Sequence, residues 1–339
     1  MSTPTAATLA DQVTAGDRRA LARSITLVES TRADHRAEAA DLLDALLPAT
    51  GKAIRVGITG TPGAGKSTFI EELGARLTAD GRRVAVLAID PSSRRSGGSI
   101  LGDKTRMERL ARNPDAFIRP SPSAGTLGGV ARHTREAALV CEAAGFDVIV
   151  IETVGVGQSE VAVADMVDCF LLLAAPGGGD ELQGIKRGIM ELADLIVVNK
   201  ADGDLLPAAN RAVSDYRHAA HLLRPKHPGW EVPVLAVSAL QGAGIDEVWA
   251  AVEHLEDHLR AGGALDRLRA GQSLAWMWDE IREQLAESFR SDDRVAEQWG
   301  AIETEVRSGR RSPTSGARHL LAAHGEALVP PAPTSPEPT

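Results

Sequence analysis

The stretch VGITGTPGAGKSTFIEEL, residues 56–73, decides the fold, because a strand-like run enters a glycine-rich turn and a helical pattern leaves it. Residues 60–67 fit G-x-x-x-x-G-K-[ST] at every fixed position. Glycines in such a turn let backbone N–H groups point inward at a helix N-terminus, where phosphates are stabilised. The turn is therefore predicted to hold a nucleoside triphosphate, with these residues in contact: Gly60, Thr61, Pro62, Gly63, Ala64, Gly65, Lys66, Ser67 and Thr68. Lys66 is expected to reach the outer phosphates, and the Ser67 hydroxyl is expected to bind Mg²⁺.

Two later segments indicate which base is bound. Asn199, Lys200 and Asp202 follow a strand-like run and match the N-K-x-D pattern of P-loop GTPases. The Asp202 carboxylate can accept hydrogen bonds from the ring N–H and the amine of guanine, whereas adenine would leave it unpaired. The last strand-like run ends where such GTPases place an S-A-K loop, here Ser238, Ala239 and Leu240, with Leu in place of Lys. The chain is predicted to bind GTP as substrate and GDP as product.

A third segment, VIVIETVGVGQSE (148–160), is similar to the strand and D-x-x-G loop of GTPases, with Glu152 in place of Asp. A carboxylate here is expected to organise Mg²⁺ and to take part in catalysis with Lys66. Gln158 either orients a water or is a polar loop residue without a role. Asp90 ends a strand-like run, where ligands gather in open α/β sheets, which makes it a further candidate.

The hydrophobic pattern predicts an α/β fold, a P-loop GTPase with a mostly parallel sheet flanked by helices and helical extensions at both ends. The predicted strands are rich in Val, Ile and Leu without alternation, so both of their faces should be covered; they lie in residues 53–60, 82–90, 146–155, 169–177, 194–202 and 232–240. Asp17 is expected to cap a helix of the N-terminal extension. Four parts are predicted: a helical extension (1–50), the GTPase domain (51–261), a helical dimerisation region (262–325) and a disordered tail (326–339).

Composition narrows the functional classes. The chain has 339 residues and a formal charge of −9, which disfavours nucleic-acid binding because that needs a basic face. No signal peptide opens the sequence and no apolar run approaches the roughly 20 residues that cross a bilayer, so we expect a cytoplasmic protein without membrane contact. Cys141 and Cys169 lie in apolar segments and are predicted to be core residues rather than members of a disulfide or zinc site.

Longer motifs go beyond generic GTPases. The segments AIDPSSRRSGGSILGDKTRM (88–107), ETVGVGQSE (152–160) and PGGGDELQGIKRGIMELADLIVVNKAD (176–202) closely resemble the MeaB/ArgK-type GTPases, SIMIBI-class P-loop proteins that include the methylmalonic aciduria type A protein. The resemblance runs from about residue 16 to the C-terminal helices. It implies a GTPase that binds an adenosylcobalamin-dependent acyl-CoA mutase, most often methylmalonyl-CoA mutase. It also implies that the GTPase gates cofactor loading and protects or reactivates the mutase.

The same resemblance assigns residues that chemistry alone does not single out. It maps Mg²⁺-associated positions onto Asp90, Asp103 and Glu152, beside the P-loop ligand Ser67. It equates residues 177–188 with a segment called switch III, which communicates with the mutase and whose polar members here are Asp180, Gln183 and Lys186. It further implies a homodimer formed through the C-terminal helices.

Other readings stay open at this point. A P-loop kinase of the ArgK-labelled type, phosphorylating a transport protein or a small molecule, would use the same phosphate cradle, although N-K-x-D argues against it. A chaperone for a nickel enzyme would need His-rich tracts or Cys/His ligands, and a protein-targeting GTPase would need a Met-rich module; the sequence has neither feature. The D-x-H-x-x-G signature that ligates cobalt through His is also missing, so no cobalamin is expected to be held by that motif.

Overall fold

The computed structural model describes residues 5–90, 107–122, 127–153, 159–177 and 187–325. Seven strands form one sheet in which every pairing is parallel. They are β1 Ile54–Gly60, β2 Val84–Asp90, β3 Ala116–Pro122, β4 Val148–Glu152, β5 Cys169–Ala174, β6 Leu195–Val198 and β7 Val234–Ala236. Their order in the sheet is β3-β2-β4-β1-β5-β6-β7.

Helices cover the sheet, and the predicted fold class is confirmed. The strands β1, β4, β5 and β6 are buried at every residue, as expected for a parallel sheet whose two faces are both packed. The helices before the last strand are α1 Ala6–Thr14, α2 Arg18–Val28, α3 Ala33–Leu46, α4 Lys66–Ala79, α5 Glu108–Ala111, α6 Leu127–Ala143, α7 Ser159–Ala164, α8 Arg187–Leu192 and α9 Leu206–His221. Those after it are α10 Ile245–Ala261, α11 Ala264–Ser291, α12 Asp293–Arg307 and α13 Pro313–Gly325.

The central strand β1 lies between β4 and β5. From β1 the chain runs to β2 and β3 on one side of the sheet, and from β5 it runs to β6 and β7 on the other side, so the direction of winding reverses between β1 and β5. Ligands bind at such a switch point, outside the carboxyl ends of the strands. The glycine-rich turn of residues 60–65 begins at the carboxyl end of β1. The topology therefore places the predicted nucleotide loop where an open α/β sheet accepts ligands.

One strand was missing from the sequence prediction. β3 contains Pro120 and Pro122, which cannot donate to a ladder and argue against a strand. It lies at the edge of the sheet, where it pairs with β2 alone and Ala88 is opposite Pro120. An edge strand tolerates proline because one of its sides needs no partner.

The N-terminal helices α1–α3 pack beside α6 on the main unit. The Asp17 side chain accepts hydrogen bonds from the N–H groups of residues 19 and 20, so the predicted cap is confirmed. Arg18 donates to the carbonyls of Pro114 and Ala116, each at 2.6 Å. Arg119, on the edge strand, forms an ion pair with Glu29, whose side chain is 6% exposed. These contacts attach the extension to the β3 edge of the sheet.

The amino end of the sheet holds a buried charge network around the first turns of α11. Arg269 makes two hydrogen bonds to Asp168, at 2.9 and 2.7 Å, and donates to the carbonyls of Gly51 and Ala53. Glu142 accepts from the N–H groups of those same two residues and pairs with Arg55 at 2.8 Å. The segment entering β1 is thus held by two carboxylates and two guanidiniums.

The chain divides into two compact units, residues 1–272 and 273–339. In the second unit, α12 and α13 pack through Val295, Ile302 and Leu320, and His324 contacts Asp292 at 2.9 Å. The helical character predicted for residues 262–325 is confirmed, since α11, α12 and α13 lie within that range. Over the described ranges, none of the helices combines the length and apolar character that crossing a bilayer requires.

Candidate nucleotide site

The turn between β1 and α4 has the backbone that the motif requires. Gly65 has φ of +90°, in the left-handed region, and a Cβ there would lie 2.6 Å from Asn199 Nδ2. A Cβ on Gly60 would lie 2.1 Å from the Leu173 carbonyl oxygen. A larger residue at either position would therefore clash with a neighbouring strand or loop. The two glycines of the motif are required by the packing around the turn as well as by its backbone conformation.

Lys66, the first residue of α4, folds back over the turn. Its ammonium donates to the carbonyls of Gly60 at 2.8 Å and Thr61 at 3.3 Å, and the residue is buried. Burial lowers the pKa of Lys66, while the negative charges of Glu152 and Glu160 oppose that shift. The cation is held by the same backbone that would surround the phosphates, so it is positioned to neutralise them.

Glu152, the last residue of β4, reaches the start of α4. Ser67 Oγ donates to Glu152 Oε1 at 3.3 Å, and Glu152 is buried. Hydroxyl and carboxylate oxygens are the donors Mg²⁺ prefers, and Mg²⁺ in nucleotide sites uses one or two carboxylates together with phosphates and waters. The described residues contain no cluster of three or more His, Cys, Asp or Glu able to hold a metal alone. Ser67 and Glu152 fit a magnesium ion carried by a nucleotide.

Asn199 joins the turn to the predicted base-reading loops. Its Nδ2 donates to the carbonyl of Ala64 at 2.9 Å, and its Oδ1 accepts from the N–H of Ala239 at 3.0 Å. Both bonds are buried. One side chain therefore fixes the distance between the phosphate loop and the loop after β7.

Asp202 and the loop after β7 are also in contact. The Ser238 hydroxyl donates to Asp202 Oδ2, and Gln241 N–H donates to that hydroxyl at 3.2 Å. Lys200 has a positive φ of +59°, a strained conformation outside glycine, and its side chain is exposed. Leu240 is 82% exposed. A carboxylate and two exposed side chains thus lie just beyond the carboxyl ends of β6 and β7.

The structure brings most of the predicted site residues to one edge of the sheet. The turn residues 60–68, Glu152, residues 199–202 and residues 238–240 follow the carboxyl ends of β1, β4, β6 and β7. Asp90 ends β2 at that same edge, but its side chain falls outside the structural description. Five further predictions lie outside the described residues, namely Asp103, Gln158, Asp180, Gln183 and Lys186.

No role was predicted from the sequence for three buried polar residues near this edge. Glu160 is 3% exposed and its charge bears on Lys66. Thr59 and Thr153 are also buried, and Thr153 Oγ1 donates to Thr59 Oγ1 at 2.9 Å. The quoted segment ETVGVGQSE contains Thr153 and Glu160, but nothing in a local motif shows that they are buried.

A parallel sheet with a Walker-type turn at its switch point, a lysine over that turn and an N-K-x-D loop beside it define a P-loop GTPase. Residues 21–294 match the model of one family, described as methylmalonyl Co-A mutase-associated GTPase MeaB. The chain belongs to this MeaB family, and it is an enzyme that hydrolyses GTP to GDP and phosphate.

Individual proteins show the same likeness. A putative GTPase of Caulobacter vibrioides is 58% identical over 94% of this chain and 97% of that protein. The mitochondrial methylmalonic aciduria type A homolog of Mus musculus is 51% identical over 91% of this chain and 77% of that protein. A crystal structure of an LAO/AO transport system kinase has a TM-score of 0.76 and 41% identity, covering 95% of this chain and 98% of that one.

Proposed function

We propose that this GTPase is a chaperone of an adenosylcobalamin-dependent acyl-CoA mutase, with methylmalonyl-CoA mutase as the first candidate. It would gate the loading of the cofactor and protect or reactivate the mutase. The observation that carries the proposal is the family match, since the mutase-associated GTPase model extends over residues 21–294, from α2 through α11. In this proposal the GTPase domain is residues 51–261, and residues 262–325 serve dimerisation.

The geometry of the site supports a division of roles in hydrolysis. Turn amides and Lys66 would bind the phosphates, because they combine a helix N-terminus with a held cation. Asp202 would select guanine, and the Ser238 hydroxyl would orient that carboxylate. Ser67 and Glu152 would hold Mg²⁺, which when bound neutralises charge that develops on the phosphates. The family resemblance adds Asp90 and Asp103 to the metal set and Gln158 as the candidate for orienting water.

Communication with the mutase is assigned to Asp180, Gln183 and Lys186 by the same resemblance. Nucleotide-dependent binding is the expected signature. The full chain, loaded with GDP or with a non-hydrolysable GTP analogue, is titrated against methylmalonyl-CoA mutase by calorimetry, with Lys66→Ala as the nucleotide-defective control. We expect the affinity to differ at least tenfold between the two nucleotides, equivalent to about 1.4 kcal/mol. Equal affinities, or binding unchanged by Lys66→Ala, would remove the gating role.

Dimerisation is proposed from an apolar stripe on α11. Five exposed side chains recur at helical spacing on one face, and four are at least 49% exposed: Leu274, Met277, Trp278, Ile281 and Leu285. An exposed stripe of this kind marks an interaction surface. Trp278→Glu is expected to convert a dimer into a monomer in light-scattering chromatography, whereas Asp279→Lys on the neighbouring polar position should leave it dimeric. A wild-type chain that elutes as a monomer at every protein concentration tested would contradict the proposal.

A kinase activity remains a second candidate, because the similar solved structure is that of a protein named LAO/AO transport system kinase. The two functions separate in one assay with γ-labelled GTP and ATP. A GTPase releases labelled phosphate from GTP to water. A kinase transfers the label to an acceptor, and such transfer without release would favour that alternative.

A further inference from the structure

The exits of β1 and β4 are joined by two buried hydroxyls. Thr153 Oγ1 donates to Thr59 Oγ1 at 2.9 Å, and the two residues are 0% and 1% exposed. The Thr153 N–H donates to the Ile58 carbonyl at 3.0 Å, so the ladder continues one residue beyond Glu152. Side-chain and main-chain bonds therefore hold the two strands together at the same level.

Each threonine of this pair is adjacent in sequence to a residue of the candidate nucleotide site. Thr59 immediately precedes Gly60, where the phosphate turn begins, and Thr153 immediately follows Glu152. In the strand register Ile58 is opposite Glu152, so the threonines, one residue further on, point to the other face of the sheet. The pair thus lies on the sheet face opposite the Glu152 side chain, and it acts on Glu152 through the backbone that carries this residue.

Packing alone does not explain two hydroxyl groups in these surroundings, because burying a hydroxyl costs free energy. Two residues before Thr59 and on the same face of β1, a Cβ on Gly57 would touch Val163, Val167 and Phe170, so the face is apolar at that position. A buried hydroxyl in such a place costs free energy unless it is hydrogen-bonded, whereas valine has the same shape without that cost. The two threonines satisfy each other across the strands, and the result is a directional link where valines would give only contact.

We propose that Thr59 and Thr153 form a positioning pair that fixes Glu152 relative to Ser67 and the phosphate turn for GTP hydrolysis. Ser67 Oγ and Glu152 Oε1 are 3.3 Å apart, close enough that a shift of the β4 exit would separate them. The inference rests on the GTPase activity and is independent of the mutase proposal, because its tests need no mutase.

The test compares Thr153→Val, which removes the hydroxyl and keeps the shape, with Thr153→Ser, which keeps the hydroxyl. For Thr153→Val we expect kcat to fall about tenfold, equivalent to about 1.4 kcal/mol, while the KM for GTP changes less than about threefold. Thr153→Ser should retain kcat within about twofold. Thr59→Val should reproduce the loss, and the double valine variant should be no worse than either single one, because the pair acts as a unit.

A second readout does not depend on turnover. Release of a fluorescent GDP analogue is measured against Mg²⁺ concentration, and Thr153→Val is expected to need about tenfold more Mg²⁺ for half-maximal retention. Unchanged kcat and Mg²⁺ dependence in Thr153→Val would overturn the proposal. Equal losses in the Val and Ser variants would also overturn it, since they indicate a packing role. If Thr153→Val fails to fold, Thr59→Val and the double variant decide the question by the same two measurements.

Discussion

Asn199 offers the sharpest perturbation of the site, because one amide bridges two loops. Its replacement by alanine leaves the Ala64 carbonyl and the Ala239 N–H without these partners, and both residues are at most 4% exposed. A buried polar group left unpaired costs about 1–3 kcal/mol. Two such groups, with some relaxation of the turn, lower the free energy of unfolding by about 2–4 kcal/mol.

The same change should weaken nucleotide binding. Once the bridge is lost, the phosphate turn and residues 238–240 are no longer held at a fixed distance, so binding must order them. We expect the Kd for GDP to rise at least tenfold, or about 1.4 kcal/mol. Urea unfolding measures the first effect and fluorescence titration with a GDP analogue the second. Asn199→Asp is the companion variant: it keeps the Oδ1 acceptor for Ala239 but places a second carboxylate oxygen against the Ala64 carbonyl, so the phosphate turn should be perturbed more than the loop after β7.

A double-mutant cycle tests the geometry more directly. Gly65→Ala alone should be severe, since its Cβ would lie 2.6 Å from Asn199 Nδ2 and the backbone φ is +90°. In the Asn199→Ala background the clash disappears and only the backbone strain of about 1–2 kcal/mol remains. We expect a favourable coupling above about 0.5 kcal/mol between the two sites. Additive effects, or an Asn199→Ala variant as stable and as tight for GDP as the parent, would refute this account of the bridge.

Three further changes test other parts of the structure. Arg269→Met should lower the free energy of unfolding in urea by about 3–5 kcal/mol, because the buried Asp168 loses its paired charge. Arg269→Lys should lower it less, because the charge is kept. Equal losses in the two variants would contradict this account of the Arg269–Asp168 pair. Burial lowers the pKa of His133, but the nearby Glu136 carboxylate and a hydrogen bond to the Val28 carbonyl raise it on balance. Its stabilising effect is therefore full below pH 6.5 and is lost as pH rises through the raised pKa. His133→Gln should therefore flatten the pH dependence of the melting temperature above pH 6.5, and an unaltered profile would exclude this role. Lys66→Met should reduce GTP turnover at least 100-fold in a phosphate-release assay while Lys52→Met does not, and turnover within tenfold of the parent would contradict the assigned role of Lys66.

The candidate site residues that could be predicted from the sequence are those that belong to short motifs. The turn after β1 and the loop at Asn199 are recognisable because their residue types and spacing are both constrained. The burial of Cys141 and Cys169 followed from their apolar neighbours and is confirmed, and burial raises the pKa of both thiols. Local pattern was sufficient wherever function or packing depends on residues close together in the chain.

Other features depend on contacts between distant residues and could not be predicted. Arg269 and Asp168 are 101 positions apart, and neither lies in a motif. The edge strand β3 was missed because its prolines are acceptable only at an edge, and edge position follows from the whole sheet order.

Hydrogen bonds hold both ends of strand β1. The segment entering it is fixed by Arg269 and Glu142, and its exit is fixed by Thr59 and by the ammonium of Lys66 on Gly60. Because a fully buried parallel strand has little freedom to bend, a displacement at one end must move the whole strand or break bonds at the other. Variants at the two ends of β1, such as Arg269→Met and Thr59→Val, should therefore show coupled rather than additive effects on nucleotide affinity.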